Sequence, residues 1–214
     1  MRSLTTTDSS KQRADRSAAE VIAEAVERFH PRLLLACSFQ KEESVLIDLL
    51  MQAEPSARVF TIDTGVLFPQ TYATWKQVED RYGLLVEVYD ASNPERPWTG
   101  GDHCCSQQKV AALEEALETA DAWITGIRRE QAPTRANAQQ VEYDERRGIW
   151  KFNPLASWTD RDVWRYVAER DLPYHPLHDQ GYDSIGCATC TLPGHGREGR
   201  WAGEDKTECG IHVD

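Results

Sequence analysis

Leu33-Leu34-Leu35-Ala36-Cys37-Ser38-Phe39-Gln40-Lys41-Glu42-Glu43-Ser44 is the stretch on which the fold turns. Its first four residues form a continuous apolar run, the pattern of a strand buried on both faces. Over residues 42–53 the apolar positions return at helical spacing. Between the two lies a short turn that carries a hydroxyl and a lysine. A buried strand that hands over directly to a helix opens a βα unit, and such units build parallel sheets.

The same alternation extends outward. Upstream, Ala18, Ile22, Ala25, Val26 and Phe29 mark a helix that Pro31 stops. Downstream, Val59-Phe60-Thr61-Ile62 reads as a second strand. Tyr72, Trp75, Val78, Glu79 and Tyr82 then mark a helix with a largely aromatic face. Residues 84–88 read as a third strand, Val110, Leu113 and Leu117 as a helix, and Ala122-Trp123-Ile124 as a fourth strand. The expected architecture is α/β, a mostly parallel sheet flanked by helices. After about Arg129 the pattern changes. Val141-Glu142-Tyr143 and Ile149-Trp150-Lys151-Phe152 suggest a hairpin around Arg147-Gly148, and Thr159-Asp160-Arg161-Asp162 has the form of a capping box opening a helix. The expected organisation is a disordered leader over 1–16, one α/β domain over 17–192, and a flexible tail over 193–214, where Gly194, Gly196, Gly199, Gly203 and Gly210 crowd together.

A net charge of −11 argues against a protein that coats nucleic-acid phosphates. No apolar run is long enough to cross a bilayer, and residues 1–11 lack a signal-peptide core. The reading is therefore a cytoplasmic protein with neither membrane nor nucleic acid as partner; a homo-oligomer stays open. Its arginines gather in loop-like stretches (Arg128, Arg129, Arg135, Arg197, Arg200), which suits a small anion in a cleft. Ligands of open α/β sheets bind beyond the carboxyl ends of the strands. Three polar loops leave strands there: residues 37–44, Asp63-Thr64-Gly65, and residues 125–130. A hydroxyl beside a helix N-terminus and arginines at a strand end both suit phosphate or sulfate oxygens.

The six cysteines divide by position. Cys104-Cys105 and Cys187-x-x-Cys190 together look like four metal ligands. Zinc is the simpler ion. Adjacent cysteines at a helix start, however, diverge by about 100°, and a [4Fe-4S] cubane, which offers a separate iron to each thiolate, tolerates that divergence better. The cluster is favoured, with zinc and unligated thiols open. Cys37 fits a small packing residue at a strand end. Cys209 lies in Thr207-Glu208-Cys209-Gly210-Ile211-His212, near Arg197, Arg200 and Lys206 in sequence, the setting of a reactive thiolate.

These features together resemble the iron–sulfur adenylyl-sulfate (APS) reductases of the phosphoadenylyl-sulfate (PAPS) reductase family. The most specific parts are Cys104-Cys105, the stretch from Gly181 to Thr191, Arg197-Glu198-Gly199-Arg200-Trp201, and Glu208-Cys209-Gly210-Ile211-His212. The resemblance implies an adenine nucleotide α-hydrolase-like fold, APS as substrate, and reduced thioredoxin as protein partner. It implies Cys209 as the nucleophile, Cys104, Cys105, Cys187 and Cys190 as ligands of a [4Fe-4S] cluster, and Ser38 and Phe39 in the nucleotide loop. It also implies Lys109, Arg197 and Arg200 at the sulfate, Arg128 at the nucleotide phosphate, and Trp201 and His212 near the closing tail. Two departures from the family pattern stand out: Gln108 stands where an Arg is usual, and Gln40-Lys41 where Ser-Gly is common.

Overall fold

A computed structural model describes residues 15–92, 107–201 and 208, residue 107 by its backbone only. Helix α1 (Ala18–Phe29) starts at a reciprocal capping box between Ser17 and Glu20. Strand β1 (Leu33–Ala36) leads into α2 (Lys41–Ala53), and β2 (Arg58–Asp63) into α3 (Pro69–Tyr82). Strand β3 (Glu87–Asp90) follows, then α4 (Gln107–Glu118) and β4 (Ala122–Ile124). The hairpin is β5 (Val141–Asp144) with β6 (Ile149–Phe152), and α5 (Asp160–Glu169) starts at the Thr159–Asp162 capping box.

The six strands lie in the order β3-β2-β1-β4-β6-β5, all pairs parallel except β5 with β6. The double burial of β1 is visible residue by residue. Leu33 and Leu35 face the core formed with α1, α2 and α5, whereas Leu34 faces Phe60, Trp123 and the apolar side of α4. The chain runs outward from β1 to β3 on one side, then returns to place β4 on the other side of β1. That reversal opens a crevice above the carboxyl ends of β1 and β4.

Three details differ from the sequence reading. The third strand begins at Glu87 rather than residue 84. Gly83 ends α3 in the left-handed conformation, and the Val86 N–H donates to the Glu79 carboxylate instead of a strand, leaving Leu85 exposed. The buried face of α3 is Thr71, Thr74 and Val78 rather than its aromatic residues; Trp75 and Tyr82 are half-buried beside it and Tyr72 is exposed. The stretch from Pro193 to Trp201, read as the start of a flexible tail, is folded back on the domain. Leu192 N–H donates to the Gly199 carbonyl and Trp201 N–H to the Cys190 carbonyl, and Trp201 is buried. A Cβ at Gly199 would collide with the Leu192 carbonyl, so glycine serves close backbone packing here.

Candidate active site

A cleft of about 390 Å³ lies at the crevice between β1 and β4. Its floor is the loop from Cys37 to Gln40. Phe39 there has φ 59°, a conformation that bulky residues rarely adopt. What holds it is packing: the ring is buried and stacks on Trp75 at 5.3 Å. Driving Phe39 inward leaves Ser38 exposed, with its Oγ donating to Glu43 Oε2 at 2.8 Å. Gln40 ties this loop to the cysteine loop, because its Oε1 accepts from the Ile185 N–H at 2.7 Å. The departure at Gln40 thus has a structural use.

Glu43 is buried against Gly126. Burial, with neighbouring Glu42 adding to it, pushes its carboxyl pKa up to about 8, despite hydrogen bonds from Ser38 and the Gln40 N–H. Cys37 beneath it is also buried, its thiol pKa raised by desolvation and then by Glu43. That fits a packing residue and not a nucleophile.

Arg128 forms a second wall. Expected at a nucleotide phosphate, its guanidinium is engaged by Glu42 at 2.9 Å and by Glu130 and Asp160, both at 3.1 Å. Lys41, the other departure, is buried; it pairs with the same Asp160 oxygen at 2.5 Å and lies 5.2 Å from the Trp164 ring centre. This end of the cleft is a closed charge network in which the cations meet carboxylates of their own.

The opposite wall is the cysteine loop. Cys187 and Cys190 sit on one turn, Cys190 N–H donating to the Cys187 carbonyl. The second predicted loop supports it: the Thr64 hydroxyl lies 3.3 Å from Cys187 Sγ, and Ala188 N–H donates to the Val66 carbonyl. Cys187 is buried at the cleft, Cys190 half-buried, and neither is in a disulfide. Two thiols on a single turn, held by backbone bonds, are a donor set suited to a soft metal centre. Lys109, in the first turn of α4, lines the same cleft. Arg200 donates to Ser184 Oγ and the Ile185 carbonyl, both at 3.3 Å. The guanidiniums of Arg200 and Arg197 lie 4.6 and 5.3 Å from the centre of the Trp201 ring, and Trp201 itself has φ 53°. The fold therefore gathers Ser38, Phe39, Lys109, Arg128, Cys187, Arg197 and Arg200 around one cleft. Cys104, Cys105, Cys209 and His212 lie outside the described residues.

Residues 32–193 match the phosphoadenosine phosphosulfate reductase domain. The chain belongs to this family. Among this family's curated members it is 44% identical to a phosphoadenosine 5'-phosphosulfate reductase of Gloeobacter violaceus, the match covering 95% of this chain and 91% of that protein. It is 42% identical to an adenosine 5'-phosphosulfate reductase of Geobacillus kaustophilus, over 92% and 91%. Its structure resembles that of a phosphoadenylyl-sulfate reductase from Candida auris in a phosphate complex, with TM-score 0.71, 30% identity, and 83% and 91% of the two chains covered. A Candida glabrata FMN adenylyltransferase shares the fold alone: TM-score 0.63, 15% identity, 83% and 63% covered. For this reductase-family chain the sequence reading placed Gln40, Glu43 and Thr64 in the strand-end loops but gave them no individual role in the site's framework. Glu43 had a sequence signal, being three residues after the helix-capping Gln40, the partner position of a capping box.

Proposed function

We propose that the protein reduces adenosine 5'-phosphosulfate to sulfite and AMP in sulfate assimilation, with thioredoxin or a similar cytoplasmic dithiol protein as reductant. The supporting observation is the convergence of Ser38, Lys109, Cys187, Arg197 and Arg200 on one cleft, in a chain whose near-full-length relatives bear that enzyme name. The Cys209 thiolate attacks the sulfur of APS, the bond from sulfur to the phosphate oxygen breaks, and AMP leaves with the electron pair. Cys209 then carries an S-sulfonate. A reductant thiolate attacks the Cys209 sulfur and expels sulfite; its second thiol resolves the mixed disulfide, so two thiols supply both electrons. Because thiolate and sulfate repel, Lys109, Arg197 and Arg200 act by offsetting negative charge as they approach.

Cys104, Cys105, Cys187 and Cys190 would hold a [4Fe-4S] cluster, and the reduced Cys187–Cys190 turn suits that role. When bound, the cluster supplies a fixed charge beside the cleft and anchors its wall. Zinc is the other centre such thiols suit.

APS is preferred to PAPS because Lys41, the extra cation of the first loop, is neutralised by Asp160 and adds no unbalanced charge for a further phosphate. The Gloeobacter relative's name favours PAPS as the second reading, and competition between the two nucleotides decides. The central test is incubation with APS alone followed by intact mass. The wild type gains a sulfonate on Cys209; Cys209→Ser gains none, releases no sulfite, and keeps the visible absorption of its cluster. Turnover by Cys209→Ser would remove Cys209 as nucleophile.

A further inference from the structure

Glu208 precedes Cys209 in the chain, and the structure records where its side chain is held. Arg135 donates to it through two nitrogens, Nε to Oε1 at 2.8 Å and Nη2 to Oε2 at 2.7 Å. Arg197 Nη2 donates to the same Oε2 at 3.0 Å, and the Thr134 hydroxyl to Oε1 at 2.9 Å. The carboxylate is largely buried, as are the two guanidiniums. Burial alone would raise the Glu208 pKa, but Arg135 and then Arg197 outweigh it and hold the carboxyl below the usual range.

The two arginines come from different parts of the fold. Arg135 lies on the short 3-10 turn Pro133–Arg135, after β4, whereas Arg197 lies beyond the cysteine loop; both line the cleft. A bidentate arginine pair fixes position as well as charge. Buried ion groups of this kind contribute little net stability, because desolvation offsets their attraction, yet removing one member is costly. Their value here is placement. One peptide bond joins Glu208 to Cys209, spanning about 3.8 Å between Cα atoms. Whatever holds Glu208 therefore limits how far the thiol can travel from the cleft.

We propose that Glu208 is a positioning residue, a latch that Arg135, Arg197 and Thr134 hold at the cleft so that the adjacent thiol meets the sulfur of the bound nucleotide. The latch rests on the reading of Cys209 as nucleophile. It predicts a split between the two half-reactions. Forming the S-sulfonate needs the latch closed. Discharging the S-sulfonate to a dithiol does not, because the reductant must reach the same sulfur from outside.

The experiment follows Cys209 S-sulfonate formation by intact mass in time after mixing with APS, for the wild type, Glu208→Gln, Arg135→Gln and the double variant. Glu208→Gln slows adduct formation by about tenfold or more, in line with losing a charge-assisted pair. Arg135→Gln slows it similarly, and the double variant is no slower than either single one. Sulfite release from preformed adduct by dithiothreitol proceeds at the wild-type rate in all four. Glu208→Asp, which keeps the charge on a shorter arm, recovers part of the loss. Equal adduct rates in wild type and Glu208→Gln overturn the latch alone. Effects of Arg135→Gln and Glu208→Gln that multiply also overturn it, since Arg135 would then act on the substrate directly. A wild type that forms no adduct overturns the nucleophile and the latch together.

Discussion

Glu43 is a side chain whose chemistry departs far from its usual state. Buried beside Glu42, its carboxyl pKa is pushed up to about 8, so the neutral acid predominates at pH 7. The folded pKa exceeds the unfolded value, so the folded chain holds a proton that the unfolded chain gives up. Stability from this source is present below about pH 4.5 and is lost as pH rises toward 8. The neutral acid also keeps one negative charge out of the wall of an anion-binding cleft. AMP affinity, measured by titration calorimetry, should fall by roughly fivefold as pH rises through about 8, a like-charge cost of about 1 kcal/mol at partly screened distance. Glu43→Gln should abolish that fall while binding AMP comparably at pH 7. An identical decline in the variant would assign it to another group.

The segment from Gly186 to Trp201 shows how far an element can be read from its letters. Its cysteine spacing suggested a ligand pair, and the structure does set the two thiols on one turn. Gly194 and Gly199, read as freedom, make close backbone contacts instead, because composition records the missing Cβ and not what stands in its place. The two kinds of glycine separate by substitution. A Cβ at Gly199 meets the Leu192 carbonyl, which cannot move without breaking the Leu192–Gly199 backbone bond. Gly199→Ala should therefore destabilise the fold by about 1–3 kcal/mol, the usual cost of overpacking, seen as a lower thermal midpoint. The atoms nearest a Cβ at Gly186 belong to the guanidinium of Arg200, the far end of a flexible side chain. Gly186→Ala should raise KM for APS by displacing Arg200 while leaving the thermal midpoint nearly unchanged. Equal thermal losses in the two variants would show that the segment packs as one unit and that Arg200 is not separately placed.

The parallel sheet was legible because Leu33, Leu34 and Leu35 need cover on both faces, and only helices on both sides supply it. The strand order was not, since nothing local tells β4 to return beside β1 rather than extend the edge beyond β3; yet that reversal makes the cleft. The three strand-end loops could be found in advance. The cross-chain ties that shape them, Gln40 to Ile185 and Arg135 to Glu208, could not, because their partners are far apart in sequence. His175 is a third such tie. It is fully buried between the start of α3 and the approach to the cysteine loop, its Nε2 lying 3.0 Å from the Thr71 hydroxyl and its Nδ1 accepting from the Leu177 N–H. Desolvation, with His178 nearby, lowers its pKa from 6.5 to about 4. Below pH 6.5 the unfolded chain takes up a proton that the folded chain refuses, so this stability is complete above that pH and is lost as pH falls toward 4. Linkage puts the loss between pH 7 and pH 5 at about 2 kcal/mol, and His178, shifted in the same direction, adds to it. Urea unfolding at the two pH values should show the difference in the wild type. In His175→Gln, where every other titrating group remains, the difference should shrink by about that amount. A wild-type loss carried over intact into His175→Gln would mean that the acid sensitivity lies elsewhere.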